Sequence, residues 1–142
     1  MATIDAKIIK FLKRHHVLTL ATVDSEGNPY CAALFYAYDS TSNRIVFSSD
    51  PATLHARHLL VRSRVAASIP LETRIIGRIQ GLQLCGTVVE STATDRTAYL
   101  VRFPYAAVAE LHLWTLVPDL LKYTDNTLGF GKKLIWQADT NK

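Results

Sequence analysis

The 142-residue chain has little of what marks a disulfide-stapled, membrane-spanning or nucleotide-cradling protein. It has two cysteines, Cys31 and Cys85, and neither has another cysteine nearby or a histidine pair at zinc spacing. Zinc and thioredoxin-type chemistry therefore have no support, and both residues read as reduced core thiols. No run approaches the ~18 apolar residues of a membrane span. Asp5, Lys7, Lys10 and Lys13 interrupt the N-terminal segment, unlike a signal peptide, so a cytoplasmic protein that does not enter the membrane is expected. Phosphate-loop and dinucleotide glycine fingerprints are missing, and no Ser-His-Asp or Cys-His pairing can be assigned, which disfavours kinase and hydrolase chemistry. Repeats, low-complexity segments and linkers are also lacking. With 49% hydrophobic and 20% charged residues, the chain fits one globular domain spanning 1–142.

The net charge of +4 permits an acidic partner without choosing one. Basic residues are not interleaved with aromatics along a strand, so nucleic acid is not the expected partner. The tract Lys13-Arg14-His15-His16 lies where a helix should end, a position at which cations complement the dipole.

Spacing predicts an amphipathic helix over residues 4–14 with Ile4, Ile8, Phe11 and Leu12 on one face and Thr3 as N-cap. A strand follows from Val17 to Val23, then the turn Asp24–Pro29, a strand from Tyr30 to Tyr38, a polar turn, and a strand from Arg44 to Ser49. Short connections between three strands mean an antiparallel meander or Greek key. The remaining expectations are a helix over 51–63, a strand Val65–Pro70, a long strand Arg74–Glu90 and a helix Thr94–Arg102 with a short continuation to Leu111. Strand from Leu113 to Asp125, interrupted at Pro118, and a last strand Lys132–Gln137 complete the order. Gly77, Gly81 and Gly86 mark bends or close approaches in the long strand, as a closing barrel requires.

The strand Tyr30–Tyr38 is apolar on both faces: Tyr30, Ala32, Leu34, Tyr36 and Tyr38 on one, Cys31, Ala33, Phe35 and Ala37 on the other. One face of an antiparallel sheet normally meets water. The outer face of this strand must therefore meet a helix, a ligand or a second subunit, and the tyrosine-bearing face suits the last two.

The segment Arg44–Leu60 runs from a strand through the hydroxyls of Ser48, Ser49 and Thr53 into a helix start, with Asp50 as N-cap and Pro51 at the first helical position. Free N–H groups and the positive dipole end favour an anion there, and His55, Arg57 and His58 fall within the first two turns. The alternative is a helix whose basic residues are simply solvated. His55 and His58 share a helical face, but no third ligand is evident, and no metal is expected.

Three blocks carry a wider resemblance: Leu20-Ala21-Thr22-Val23-Asp24-Ser25-Glu26-Gly27-Asn28-Pro29-Tyr30, Ile45-Val46-Phe47-Ser48-Ser49 with Thr53-Leu54-His55-Ala56-Arg57-His58-Leu59, and Gly81-Leu82-Gln83-Leu84-Cys85-Gly86. In order and spacing they resemble the pyridoxamine 5'-phosphate oxidase-like, FMN-binding split-barrel family, within an uncharacterised bacterial branch. The resemblance implies a mainly β (α+β) fold, a six-stranded antiparallel Greek-key split barrel with flanking helices. It also implies a homodimer with FMN at the subunit interface, acting as an oxidoreductase on a small organic substrate or reduced nicotinamide. Carried over residue by residue, Thr53 and His55 hold the phosphate, Arg57 is the next basic position, and Ser48 and Ser49 lie beside the ribityl chain or ring. The stretch from Ala33 through Leu34 and Phe35 to Tyr36 runs along the isoalloxazine. Gln83, or less favourably Gln80, approaches its polar edge, and the tail with Lys132 and Trp136 reaches across to the partner's flavin.

One departure stands out. Many flavin-binding members have lysine or arginine where this chain has His55, whose unperturbed pKa of about 6.5 leaves it mostly neutral at pH 7. A non-enzymatic barrel holding haem or another phosphorylated cofactor is the alternative.

Overall fold

The computed structural model describes residues 3–139. In chain order the elements are α1 (Ala6–Arg14), β1 (Val17–Val23), β2 (Pro29–Asp39), β3 (Arg44–Ser48), α2 (Leu54–Val61), β4 (Arg64–Pro70), β5 (Gln80–Glu90), α3 (Ala93–Arg102), β6 (Leu113–Asp125) and β7 (Lys133–Gln137). Every strand pairing is antiparallel. Six strands close into a barrel in the cyclic order β1-β2-β3-β6-β5-β4, because β3 pairs with β6 as well as β2. After the meander β1–β2–β3, α2 returns the chain to β4 on the free edge of β1, which makes the connectivity a Greek key. The fold is the six-stranded antiparallel split barrel with flanking helices that the sequence led us to expect.

Alternation sets the inside. On β1, Leu18, Leu20 and Thr22 are buried while their neighbours are partly or well exposed, and β4 buries Val65, Ala67 and Ile69 in the same way. The helix α1 adds Ile8, Phe11 and Leu12 to the same core as these strand residues. The barrel wall is continuous hydrogen-bonded strand, so a helix can reach that interior only at an open end. Asp5, not Thr3, caps α1: its carboxylate accepts from the Lys7 N–H at 2.8 Å. Outside the wall, α3 lays Tyr99 and Phe103 over Ala37 and Val46. Asp95 pins it there, accepting from Arg44 Nε at 2.9 Å, Arg44 Nη2 at 2.8 Å and the Thr115 hydroxyl at 2.9 Å.

The tyrosine-bearing face of β2 is not a ligand face. Tyr36 is fully buried and its hydroxyl donates to the Leu12 carbonyl at 2.7 Å, while Tyr38 donates to Asn43 Oδ1 at 2.8 Å. A tyrosine can point inward once α1 and a turn supply acceptors for its hydroxyl. The opposite face is outward: Cys31, Ala33 and Phe35 are exposed, and only Ala37 is covered, by α3. Cys31 and the half-buried Cys85 are therefore sheet-surface thiols rather than core residues.

The expected strand from Arg74 begins only at Gln80; residues 71–79 form a loop with a 3-10 turn over Ile76–Arg78. Conversely, Pro118 does not interrupt β6. It falls between the residues of β6 that pair with β3 (Leu113–Leu116) and those that pair with β7 (Leu120–Thr124), where its missing N–H breaks no ladder on that edge. On the other edge Pro118 faces Gly86, and the register slips so that Asp119 has no partner on β5.

Gly86 is a close approach in the strict sense: a Cβ there would overlap the Val117 carbonyl and lie 3.0 Å from Pro118 Cα. Gly86→Ala should destabilise the protein by about 1–3 kcal/mol, because backbone has to move. Gly77→Ala, where nothing lies within 4 Å, is the control. Equal urea midpoints for the two variants would contradict this account of the bulge.

Candidate functional site at the corner of β3 and α2

The turn after β3 differs from its sequence reading in one respect that changes the site. Asp50 caps the turn, not the helix: its carboxylate accepts from the Ala52 N–H at 2.8 Å, and its carbonyl accepts from the Thr53 N–H at 3.0 Å. The helix begins after Thr53, whose hydroxyl accepts from the Ala56 N–H at 3.4 Å. Asp and Pro close a local turn as readily as they start a helix, and here the turn takes them. Thr53 thereby becomes the N-cap itself, and the N–H groups of Leu54 and His55 have no acceptor among the described residues.

Thr53 and His55, expected at the phosphate, form one cluster with Ser49, expected beside the ribityl chain or ring. His55 Nε2 is in very short contact with the Ser49 hydroxyl and lies 3.3 Å from Thr53 Oγ1; the two hydroxyls are 3.4 Å apart. Ser48 ends β3 beside them, partly buried, and Arg57 stands exposed a turn beyond Thr53. Ser49 is fixed from both sides, since its N–H donates to the His112 carbonyl at 3.0 Å and its carbonyl accepts from Trp114 Nε1 at 3.0 Å.

Burial lowers the His55 pKa from its ordinary value, and the neighbouring His58 pushes in the same direction. The imidazole is therefore neutral at pH 7, with Nε2 shared between two hydroxyls. His58 faces elsewhere: its Nδ1 meets the Thr22 hydroxyl at 2.9 Å, and the Tyr30 ring packs edge-on at 5.9 Å between centroids. Two histidines three residues apart thus serve two different strands.

The other expected residues spread over the outer surface. Strand register puts Ala33, Thr19, Ser68, Gln83, Lys122 and Ile135 in one row across β2, β1, β4, β5, β6 and β7. Phe35, two residues from Ala33, shares that face and is 59% exposed. Leu34 packs partly against the core, and Tyr36 is inside, so of this stretch Phe35 offers the outward aromatic surface. Gln80 turns to α1, where its Oε1 accepts from Arg14. The tail forms β7 on the C-terminal half of β6 of its own barrel. Trp136 packs partly buried against that barrel's core, and Lys132 is exposed just before the strand. Within one chain the tail does not join the β3–α2 corner; the indole there belongs to Trp114, which sequence reasoning missed. Its place opposite Phe47 on the strand that closes the barrel is the signal, and it depends on knowing the closure.

The closed six-stranded antiparallel barrel with flanking helices is that of the split-barrel proteins. The family described as pyridoxamine 5'-phosphate oxidase matches residues 4–119, and the chain belongs to that family. It is similar to the UPF0306 protein YhbP of Salmonella paratyphi B, with 38% identity over 99% of this chain and 97% of that protein. A heme binding protein from Mycobacterium smegmatis superposes with a TM-score of 0.75 at 17% identity, over 96% of this chain and 60% of that one. A FAD-binding protein from Mesorhizobium loti gives 0.66 at 17%, over 86% and 95%. At such identities the two structures show a shared fold.

Without ligand, the His55 ring should titrate below about 6.5, the unperturbed value. The sign for stability follows. The unfolded chain takes up the proton first as pH falls, so stability present above pH ~6.5 is lost between that value and the lower folded pKa. An NMR titration of the His55 ring with a midpoint at or above 6.5 would contradict the buried neutral imidazole.

Proposed function

We propose that the protein is a homodimeric FMN-binding flavoprotein whose cofactor phosphate sits at the corner of β3 and α2. The observation that carries this reading is the cluster of Ser49, Thr53 and His55 at a helix start whose Leu54 and His55 N–H groups have no acceptor among the described residues. Such a start favours an anion through its free donors and its dipole. Arg57, on the next turn from Thr53, supplies the permanent charge that neutral His55 lacks. The Ser49 hydroxyl would donate to a phosphate oxygen, the Thr53 hydroxyl, which donates to the Asp50 carbonyl at 2.8 Å, would have to turn to do so, and a proton taken up by His55 beside the dianion would add a second cation. The membership of the pyridoxamine 5'-phosphate oxidase family supports the same reading.

The chain's own residues fit this role without a general base. A bound flavin would accept hydride or electrons from a small organic substrate or a reduced nicotinamide and pass them on, while the protein holds, shields and tunes it. The tight support of Ser49 by His112 and Trp114 keeps the hydroxyls in place.

The second copy belongs on the outer face of β2, β1, β4 and β5. Small or apolar side chains line it in register, with Cys31, Ala21, Ala66 and Cys85 forming one row and Phe35 and Val17 an edge. α3 covers this face only at its Ala37 end, where Phe103 also meets Phe35, leaving the rest as the surface an isologous dimer would bury. A flavin held at the corner would then lie along Phe35, with Gln83, Lys132 and Trp136 of either copy available to its edges.

Titrating FMN into the protein should change flavin fluorescence. Thr53→Ala combined with Arg57→Ala should weaken binding roughly tenfold or more, from the loss of one or two charge-assisted contacts. An unchanged affinity would remove the corner as the phosphate site, and no binding at all would remove the flavin. The second reading, a non-enzymatic barrel holding haem, draws support from neutral His55 and from the likeness to the M. smegmatis protein; a haem absorption spectrum in place of a flavin one would decide for it. Ala66→Arg places a charge in the centre of the proposed self-contact. Sedimentation should then show a monomer, and a dimer that persists would move the interface to another face.

A further inference from the structure

A second concave site lies away from this corner, beneath α1. Lys7, Lys10 and Arg14 follow one another at positions i, i+3 and i+7, which puts them on one side of the helix, and all three line a cavity of about 210 Å³ whose other wall comes from Gln80, Tyr123 and Asp125. Gln80 and Asp125 are register partners at one end of the β5–β6 ladder, and Glu90 and Trp114 are partners at the other end. Trp114 holds Ser49, so ten residues of β5, about 33 Å of strand at ~3.3 Å per residue, separate this cavity from the β3–α2 corner.

Among the described residues none of the three cations is in an ion pair: the pairs are Arg44–Asp95 and Arg64–Asp119, and neither involves α1. Asp125 is the cavity's one carboxylate, and its oxygens already have partners: Oδ1 accepts from the Thr127 N–H at 2.9 Å and the Thr127 hydroxyl at 2.6 Å, and Oδ2 from the Tyr123 hydroxyl at 3.1 Å. Burial opposes its charge, yet the Thr127 donors, Tyr123 and the charge of Lys7 together hold its pKa below the usual carboxylate value. It remains an anion that orders the wall, and the cavity keeps a surplus of two positive charges.

Gln80 completes the donor set. Its Oε1 accepts from Arg14 Nη2 at 3.1 Å and lies 3.3 Å from the Tyr123 hydroxyl. Because a guanidinium can only donate, the amide oxygen must be the end that faces it, and the NH2 end is left as a donor without an acceptor among the described residues. Two lysines, an arginine and a glutamine amide thus line a space of about 210 Å³, of a size for a small anion.

We infer that the cavity under α1 binds a compact phosphate dianion, the phosphoryl group of a small phosphorylated metabolite or of a lipid headgroup. A dianion matches the two surplus charges, and multiple cationic donors suit its several oxygens. The site is independent of the flavin reading, since it shares no residue with the β3–α2 corner.

The test uses the full chain, inorganic phosphate as probe and amide NMR as readout, with three proteins compared. In wild type and in Thr53→Ala, phosphate should shift the amides of α1, Gln80 and the end of β6 with the same affinity. In Lys7→Gln/Lys10→Gln/Arg14→Gln, whose side chains are all exposed, that response should weaken roughly a hundredfold or more, from the loss of charge-assisted contacts worth about tenfold or more each. Raising salt should weaken the wild-type response, as for exposed charges. The proposal is overturned if the α1 amides do not respond, or if the triple variant binds as tightly as wild type. Loss in Thr53→Ala alone would assign the phosphate response to the corner and overturn the α1 site. Sedimentation with phosphatidylcholine vesicles, with and without phosphatidic acid, distinguishes the sources. Retention by the acidic vesicles that is lost in the triple variant assigns a lipid headgroup, and equal behaviour on both vesicles assigns a free metabolite.

Discussion

The architecture rests on one strand having three neighbours. β6 pairs with β5 throughout, with β3 over its first residues and with β7 over its last. The pairing with β3 closes the barrel, and further along the same edge β6 exchanges β3 for β7. A strand can change partners in this way only where its hydrogen-bonding demand lapses. Pro118 provides that lapse by lacking an N–H, and Asp119, which has no register partner on β5, adds the bend. Gly86 is required because the bent backbone leaves no room for a Cβ.

The candidate corner depends on that closure. Trp114 reaches Ser49 because β6 lies beside β3, so the same pairing that completes the barrel also fixes the hydroxyl-bearing turn. His55 is buried against this turn and held neutral, and its Nε2 is committed to hydroxyls. In the proposed phosphate site His55 would be a hydrogen-bonding group that takes on charge beside an anion, and affinity there would depend on pH in a way that a lysine or arginine would not confer.

Much of the order of elements was legible in the chain. Alternation identified β1 with its correct bounds, the strands flanking the Asp24–Pro29 and Asp39–Asn43 turns, and the α3 helix to within a residue, because periodicity of burial is a local signal. The misreadings were of residues with two local options. Asp50-Pro51 starts helices and closes turns alike, and Pro118 ends strands unless a bulge or a change of partner accommodates it. The residues from Arg74 to Ile79 look like strand but have no neighbour to pair with. The face of β2 that carries tyrosines looked outward because tyrosine suits interfaces; it is inward because Leu12 and Asn43 offer acceptors, and neither is near Tyr36 or Tyr38 by composition alone.

By itself, then, the sequence determined the set of elements, their antiparallel character and the concentration of hydroxyls and basic groups between β3 and α2. These follow from alternation, turn chemistry and side-chain type, which act within a few residues. Only the tertiary structure decided that β3 closes on β6, that Trp114 stands at the corner, that His55 is neutral, and that Lys7, Lys10 and Arg14 face Gln80 and Asp125. Each of these joins residues far apart in the chain. Their proximity is set by strand register and burial in the folded barrel, quantities that no local pattern contains.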